Sequence, residues 1–543
     1  VLVAALAVAA AGASIEIGIL RRLYKAPELL QLLATFALVL IVRDFVLWAW
    51  GPEDMLGPRA PGFRDAVSMA GAPFPRYDLL LIALGPLVFA LLHALLTRTR
   101  WGTLVRAATE DREMAAALGV NQRWLFTGVF ALGALLAGAG GALAVPREPA
   151  SLGVDLVAIS DAFVVVVVGG LGSIPGAFLA ALLIGEVKAF CIGFGYSEVT
   201  LAAEFIVMAV VLVLRPWGLL GKPLPAYRGA QAAEPPLGRL GRKATLALAC
   251  LVALLAALPL TGDEYTLVLA TDILVFALFA VSLHFIMGPG GLASFGHAAY
   301  FGLGAYGAAL LLLRAHAPML AALALAPLLA FAGAALCGWF AVRLAGVYLA
   351  MLTLAFAQIA WSIAWQWDSV TGGSNGLIGV WPPPWLAPKA VYYYLALLVC
   401  AAGILLLWRA LAAPLGYTLR AARDTPLRAD AIGIDVRRTQ WIAFAIAGTS
   451  AGVAGALYAF SKGSISPETL SVPRSVDALV MVLLGGVQTL TGPAWGAALF
   501  VWLQDALARE VEYWRAAIGA IVLALVLVFP RGITGYLKER FAS

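Results

Sequence analysis

Long runs of apolar residues alternate with short polar connections along most of the chain. Many runs reach the roughly 20 residues that a helix needs to cross a hydrocarbon core about 30 Å thick. The period-two alternation of transmembrane β-strands does not occur. We therefore predict an all-α, polytopic transmembrane helical bundle. The predicted spans are Val1–Leu20, Leu29–Trp50, Asp78–Leu96, Trp124–Val145, the broken run Val157–Gly193, Leu201–Leu214, Ala244–Leu260, Tyr265–Met287, Tyr300–Leu313, Met319–Val342, Val347–Trp367, Val391–Leu411, Trp441–Phe460, the broken run Val476–Ala506, and Tyr513–Phe529.

The composition favours a membrane protein over a soluble one. Hydrophobic residues make up 62% of the 543 residues and charged residues 12%, against roughly 45–50% and about 25% in soluble domains. The net charge of +6 comes from Lys and Arg concentrated in the connections, as the positive-inside rule expects, so it does not indicate a nucleic-acid partner. The four cysteines lack disulfide or metal spacing, and we expect no metal and no cofactor.

Two polar stretches interrupt the apolar pattern, and they match each other. GTLVRAATEDREMAAALGVN (Gly102–Asn121, polar segment 1) aligns without a gap with GYTLRAARDTPLRADAIGID (Gly416–Asp435, polar segment 2). Basic residues flank polar segment 1, which favours the cytoplasmic side. We predict that each segment forms one short amphipathic helix along the membrane surface, ended by a glycine. The identical pairs are Gly102/Gly416, Arg106/Arg420, Ala107/Ala421, Ala108/Ala422, Ala115/Ala429, Ala117/Ala431 and Gly119/Gly433.

The match extends far beyond the polar segments. The tetrapeptides GALA at Gly141 and GALY at Gly455 keep the offset of 314 residues that separates the two segments. After two inserted residues, VVGGLGSIPGA (167–177) aligns with LLGGVQTLTGP (483–493). Internal repeats of this size are typical of transporters. We therefore predict two homologous halves.

The boundary between the halves falls in a stretch rich in proline, glycine and basic residues. We predict a first half at 1–225, a cytoplasmic linker at 226–243 and a second half at 244–543. Residues 265–314 of the second half have no counterpart in the first. We therefore expect that the first half lacks its initial spans and that the reading frame continues upstream of Val1.

Glycine pairs interrupt the two broken runs at matching places. Gly169 and Gly170 belong to the first run, and Gly485 and Gly486 to the second. Glycine at membrane depth is tolerated where protein covers the backbone or where it lines a cavity. Two interpretations therefore remain open for these pairs, a translocation path or close helix packing.

Four polar residues within apolar runs are further candidates. Ser294 and His297 are three residues apart, and we predict that they share one helical face. They either contact the substrate path or form a hydrogen bond between helices. Asp161 and Asp477 match at the starts of the broken runs. They either cap a helix N-terminus or contribute to a gate or a binding-protein contact on the outer side.

Several of these stretches resemble permeases of ABC importers from the branched-chain amino-acid family. The first half is similar to the LivH type and the second to the LivM type, so the chain resembles a fusion of the two, with an N-terminally truncated LivH half. The resemblance covers nearly the whole chain. The stretches that carry it are RAATEDREMAAALGV (106–120), GGLGSIPGAFLAALL (169–183), GGLASFGHAAYFGLGAYGAALL (290–311) and RAARDTPLRADAIGI (420–434).

The resemblance implies a multi-pass permease of the inner membrane that imports branched-chain or related amino acids. It implies two ABC ATPase subunits on the cytoplasmic side and a periplasmic or extracellular solute-binding protein. The chain has no G-x-x-x-x-G-K-[ST] phosphate loop, so we do not expect it to be an enzyme that hydrolyses ATP. The implied ATPase-coupling residues are Arg106, Ala107, Ala108, Gly119, Arg420, Ala421, Ala422 and Gly433.

Two other functions remain open from the sequence. Permeases for urea or short amides are similar to this family, so the solute is not fixed by the resemblance. An ion-coupled secondary transporter would need acidic residues within the membrane, paired with unwound helices. The few acidic residues of this chain lie mostly near the ends of predicted spans, which makes that alternative the weaker one.

Overall fold

The computed structural model describes the chain apart from Lys25, Pro27, Ala70, Gly71, 223–241, Gln488, Leu490 and 529–543. The predicted linker at 226–243 therefore lies almost entirely outside the described residues. Within the rest, helices dominate, and ten are long and apolar enough to cross a membrane. The predicted all-α membrane bundle is confirmed. The chain divides into two compact units, unit 1 (Val1–Leu182, Leu219–Gly221 and Arg515–Leu523) and unit 2 (the remaining residues).

Unit 1 contains eight helices, the beginning of a ninth and the middle of the last described helix. A π-helical turn, Glu16–Leu20, joins the first two, and a short antiparallel hairpin of β1 (Ala66–Met69) and β2 (Ala72–Pro75) precedes the fourth. The helices are α1 (Leu2–Ile15), α2 (Arg21–Leu23), α3 (Glu28–Trp50), α4 (Arg76–Arg98), α5 (Arg100–Glu110), α6 (Arg112–Ala117), α7 (Gln122–Ala144), α8 (Val154–Gly169) and α9 (Ile174–Gly193), whose last residues belong to unit 2.

Unit 2 holds most of the remaining helices. A small antiparallel sheet pairs β3 (Leu377–Val380) with β4 (Gly463–Ile465), which lies far along the chain. The helices are α10 (Thr200–Leu214), α11 (Arg242–Ala257), α12 (Glu264–Met287), α13 (His297–Leu313), α14 (Met319–Ala341), α15 (Val347–Gln366), α16 (Asp368–Thr371), α17 (Lys389–Ala412), α18 (Pro414–Asp424), α19 (Pro426–Ala431), α20 (Val436–Lys462), α21 (Val472–Gly485), α22 (Gly492–Glu510) and α23 (Trp514–Val528), of which Arg515–Leu523 belongs to unit 1.

Small residues bring the central helices of unit 2 together. α13 packs on both α14 and α20. A side chain at Gly304 would overlap the backbone of Gly452, and one at Gly455 would overlap the Phe301 carbonyl. Because lipid gives apolar helices no hydrophobic reason to associate, this close backbone contact supplies much of the packing energy.

Unit 1 is built around the contact of α1 with α7. Val8 lies 2.8 Å from where a side chain at Gly138 would begin. The buried Glu16 carboxylate accepts hydrogen bonds from Thr127 at 2.5 Å and from Tyr24 at 3.0 Å, and Arg21 pairs with it at 3.2 Å. A charge inside a membrane bundle is tolerated when it is paired in this way.

Candidate functional site

Each polar segment folds as two helices rather than the predicted one. Segment 1 divides into α5 and α6 at Asp111, and segment 2 divides into α18 and α19 at Thr425. Asp111 has an extended backbone, and Thr425 is also outside the helical region, with φ −148° and ψ 83°. Asp111 caps α6 through the Met114 amide at 2.9 Å, whereas Pro426 disfavours a helical conformation at Thr425. Different local signals thus produce the same break.

The glycines at the ends of both segments terminate a helix, as predicted. Gly119 and Gly433 have φ values of +85° and +89°. The amide of Gly119 donates to Ala116 at 2.9 Å, and the following amide donates to the carbonyl of Ala115 at 3.1 Å. In segment 2, the amide of Gly433 donates to the carbonyl of Asp430, and the following amide donates to the carbonyl of Ala429. This is the double hydrogen bond of a Schellman helix end, which needs a left-handed residue.

The matched alanines and arginines divide into a buried inner set and a more exposed outer set. Ala108 and Ala115 are buried in segment 1, where they pack on Leu125 of α7, and Ala422 and Ala429 are buried at the matching places. The outer set has Arg106 and Ala107 exposed, with Arg420 and Ala421 half-buried. One face of each segment therefore packs against the bundle, and the other is more exposed.

Gly102 and Gly416 place each segment tightly against the preceding helix. A side chain at Gly102 would overlap the carbonyl of Leu96, and one at Gly416 would overlap the carbonyl of Leu411. Alanine at either position would force the segment away from the helix, because backbone atoms cannot move aside as a flexible side chain can. The same attachment therefore occurs in both halves.

An arginine that sequence reasoning missed anchors polar segment 2. The guanidinium of Arg423 donates to the carbonyl of Gly288, just after α12, at 2.8 Å. A Cβ at Gly288 would lie 2.9 Å from the Val487 carbonyl, to which His284 donates at 2.7 Å. The segment is thus connected to the end of α12 and to the break between α21 and α22. The matching residue in segment 1 is Thr109, so the repeat gave no signal for Arg423.

Glycine pairs form both breaks in the long apolar runs, as the sequence predicted. Gly170 follows α8 with a φ of +99°, and Gly486 follows α21 with a φ of +105°. A side chain at Gly169 would lie 2.6 Å from Cα of Ala177, and one at Gly485 would overlap the backbone of Gly492. This geometry agrees with close helix packing. A role in the translocation path stays a prediction.

The capping interpretation of the two matched aspartates is wrong. Asp161 lies in the middle of α8, whose first turn contains Asp155 instead. Asp477 lies in the second turn of α21, where no acidic residue occupies the first turn, and it pairs with Arg474 at 3.6 Å. The helices begin several residues earlier than the apolar pattern suggested. A gate or an outer contact remains a prediction for both.

Ser294 and His297 do not share a helical face, contrary to the prediction. The helix begins at His297, and Ser294 lies in the preceding irregular stretch. The His297 ring hydrogen-bonds Ser282 of α12 through Nε2 at 2.8 Å and stacks on Phe279. The side chains of Ser294 and His297 are fully buried. Their surroundings agree with helix packing, and contact with substrate stays a prediction.

Comparison with known proteins identifies the family. Residues 1–215 and 265–529 match the family described as branched-chain amino acid transport system / permease component. The chain belongs to this permease family. It is therefore a transport permease, a multi-pass protein of the inner membrane and not an enzyme.

Individual relatives match the family's two permease types. The LivM permease of the high-affinity branched-chain amino acid transport system of Escherichia coli (strain K12) is 28% identical over 368 residues, which cover 62% of this chain and 86% of LivM. BraD of Pseudomonas aeruginosa is 31% identical over 220 residues, which cover 39% of this chain and 70% of BraD. LivH of E. coli is 26% identical over 234 residues, which cover 41% of this chain and 73% of LivH. No solved structure matches the chain.

Proposed function

We propose that this permease carries both membrane halves of an ABC importer and moves branched-chain or related amino acids into the cytoplasm. The first half is LivH-like and extends to about residue 225, the linker occupies 226–243, and the LivM-like half follows from 244. Two separate ABC ATPase subunits hydrolyse ATP, and a solute-binding protein delivers the amino acid at the outer face. The relatives named for branched-chain amino acid transport support this solute class.

The recurrence of one two-piece helical segment in each half carries the proposal. Each segment buries one face and leaves the matched outer residues accessible. In our proposal the residues Arg106, Ala107 and Gly119 belong to one ATPase-coupling surface, and Arg420, Ala421 and Gly433 to its counterpart. Two equivalent surfaces require two equivalent partners, as expected for a pair of ATPases.

Coupling follows from how each segment is attached. ATP binding that draws two ATPases together exerts force on both segments. Segment 2 can pass this force to α12 through Arg423 and Gly288, because the two residues share a hydrogen bond. The close backbone contacts at Gly102 and Gly416 allow little movement of each segment relative to the preceding helix. Motion of the segments is thereby transmitted to the spans rather than absorbed locally.

Uptake by reconstituted vesicles tests the function. Uptake of labelled leucine should require this chain, the ATPases, the binding protein and ATP together, and it should survive an uncoupler that removes the proton gradient. Uptake by the chain alone under an imposed ion gradient would contradict the proposal and favour a secondary transporter. ATP-dependent uptake of labelled urea in place of leucine would instead assign the short-amide class.

Charge reversal tests the coupling surfaces separately. We expect Arg106→Glu or Arg420→Glu to reduce co-purification of the ATPases roughly tenfold, because arginine is enriched among the residues that dominate protein interfaces. Arg64→Glu is the matched control. Arg64 is an exposed arginine that precedes α4 in the chain, whereas polar segment 1 follows α4. Membrane insertion should be unchanged in all three variants. Full ATPase recovery with both segment variants would refute docking at these surfaces.

A further inference from the structure

A group of charged and aromatic side chains lies far from polar segment 2 in unit 2. Helix α20 begins directly after the segment and ends at Lys462. Its 27 residues cover about 40 Å at 1.5 Å per residue. Lys462 therefore lies at the opposite end of the helix from the segment, on the outer side if the segment is cytoplasmic.

The first charged pair in this group has an unused acceptor. Lys462 donates to Oδ2 of Asp272 in α12 at 2.7 Å. The other carboxylate oxygen, Oδ1, is buried, and no donor among the described residues reaches it. A buried carboxylate oxygen without a donor is unfavourable. A ligand that brings a positively charged N–H group would satisfy it.

The second charged pair lies on an aromatic surface. Arg474 of α21 contacts Asp477 at 3.6 Å, which is long for a charge-assisted hydrogen bond. Its guanidinium lies over the rings of Phe276 at 5.2 Å and Tyr458 at 5.8 Å. All five donors of an arginine are seldom satisfied by one such contact. The side chain is half-buried, so a carboxylate can approach it.

Aromatic contacts connect the two pairs. Lys462 and Arg474 both lie over the Tyr458 ring, each 5.8 Å from its centroid. The Tyr458 ring lies 5.9 Å from Phe276 and 5.4 Å from Phe301 of α13. These rings form an apolar floor beneath the charges. An acceptor, a donor and an apolar surface are thus arranged together within one unit.

The arrangement is not part of the internal repeat. In the register that aligns Asp477 with Asp161, Arg474 corresponds to Ala158, and Tyr458 corresponds to Ala144 in the GALA/GALY alignment. The second half alone has the arginine and the aromatic ring.

We propose that this group is a binding site for the charged end of an α-amino acid, used when the amino acid enters the permease from the outer side. The ligand's carboxylate pairs with Arg474, and its ammonium group donates to Oδ1 of Asp272. An apolar side chain of the ligand lies beside the half-buried ring of Tyr458. This inference rests on the proposed function and assigns the substrate class to a place in the second half.

Binding of ligands that differ in one charged group tests the site directly. The purified full-length chain in detergent is titrated with labelled leucine, with 4-methylpentanoate (no ammonium group) and with 3-methylbutylamine (no carboxylate). We expect leucine to bind and each analogue to bind roughly tenfold more weakly or worse, because each loses one charge-assisted hydrogen bond. Equal binding of leucine and either analogue would overturn the site.

Variants assign the binding to these residues. Arg474→Gln should weaken leucine binding roughly tenfold but leave binding of 3-methylbutylamine, which has no carboxylate, unaffected. Asp272→Asn should also weaken leucine binding but leave binding of 4-methylpentanoate, which has no ammonium group, unaffected. A residue that only maintained the fold would weaken all three ligands alike. Arg343→Gln is the matched control, because Arg343 also lies over aromatic rings, at 5.3 Å from Trp339 and 5.8 Å from Phe340. It should bind leucine like the parent chain.

Failure of the site and failure of the proposed function give different results. If the complete system takes up leucine with ATP but the Arg474 and Asp272 variants bind and transport leucine normally, the site is wrong and the importer stands. If the parent chain binds no leucine while the complete system transports it, the site is again wrong. If the complete system transports nothing with ATP, the importer itself is wrong.

Discussion

The two polar segments have the same backbone but different attachments. Polar segment 1 is held by side chains of unit 1, where Arg112 lies over the rings of Phe126 and Tyr24 and donates to Gln122 at 3.1 Å. Polar segment 2 is held by Arg423, which donates to the carbonyl at Gly288. The repeat therefore preserves the outer surface and the helix ends, whereas each half anchors its segment with unrelated residues.

This difference shows which features of the repeat are constrained by geometry. The glycines at 102/416 and 119/433 recur because a backbone approach and a left-handed conformation tolerate no larger residue well. A side-chain anchor can come from many directions, so it need not recur. Substitutions at matched glycines should act alike in both halves, and substitutions of anchors should act in one half.

The largest effect is expected where both segments contact the preceding helix. Gly102→Ala and Gly416→Ala should each lower the free energy of unfolding by about 2–3 kcal/mol, because the new methyl group meets backbone atoms. Denaturant titration in micelles, followed by circular dichroism, measures the loss. Gly133→Ala is the control, since no atom lies within 4 Å of the place where a side chain at Gly133 in α7 would begin. A loss in one half only would break the proposed equivalence.

The anchor of segment 2 should give the next largest effect. Arg423→Gln removes a charge-assisted bond to Gly288, worth about 1.5–3 kcal/mol. Hydrogen exchange of 416–431 should accelerate by roughly tenfold or more, while 102–117 stays unchanged. Thr109→Val, at the matching position in segment 1, is the control and should leave exchange in both segments near the parent rate. Equal acceleration in both segments after Arg423→Gln would contradict separate anchoring.

The helix ends should respond equally and more weakly. Gly119→Ala and Gly433→Ala place a side chain on a left-handed residue, which costs about 1 kcal/mol. Neither position has atoms that a methyl group would meet, so the effect isolates backbone strain. Denaturant titration should show matching losses. A loss more than twice as large in one half would indicate a contact that only that half uses.

The anchor of segment 1 should give the smallest effect. Arg112→Gln removes the contacts with the Phe126 and Tyr24 rings, worth about 0.5–1 kcal/mol at an exposed site. Hydrogen exchange should accelerate a few-fold in segment 1 and stay unchanged in segment 2, where Pro426 occupies the matching position. Faster exchange of segment 2 in this variant would show that the segments are not anchored independently.

Much of the fold could be predicted from the sequence because its signals are local. Apolar runs of sufficient length predicted the spans, and the glycine pairs predicted the breaks after α8 and α21. Glycine also marked the ends of α6 and α19. Each signal acts through the backbone of the residue itself or of its immediate neighbours. No knowledge of the packing was needed.

Other local details were missed because competing signals lie close together. The break at Thr425 follows from the proline after it, and the break at Asp111 from its capping carboxylate. Ser294 was expected to share a helical face with His297 because it lies three residues earlier, yet the helix begins at His297. Sequence spacing alone cannot fix such boundaries, because a residue can contribute to a turn or to a helix at similar cost.

Only the tertiary structure decided which spans pack together and which charged residues meet. Helix α10 belongs to the first half in sequence but packs on α15 in unit 2. Asp44 of α3, by contrast, accepts a hydrogen bond from the Ala516 amide at 2.7 Å within unit 1. Apolar helices are almost interchangeable as sequence patterns, since lipid and protein offer similar surroundings. Their partners are chosen by the fit of small residues and by single polar contacts, and both arise only when distant parts of the chain are folded together.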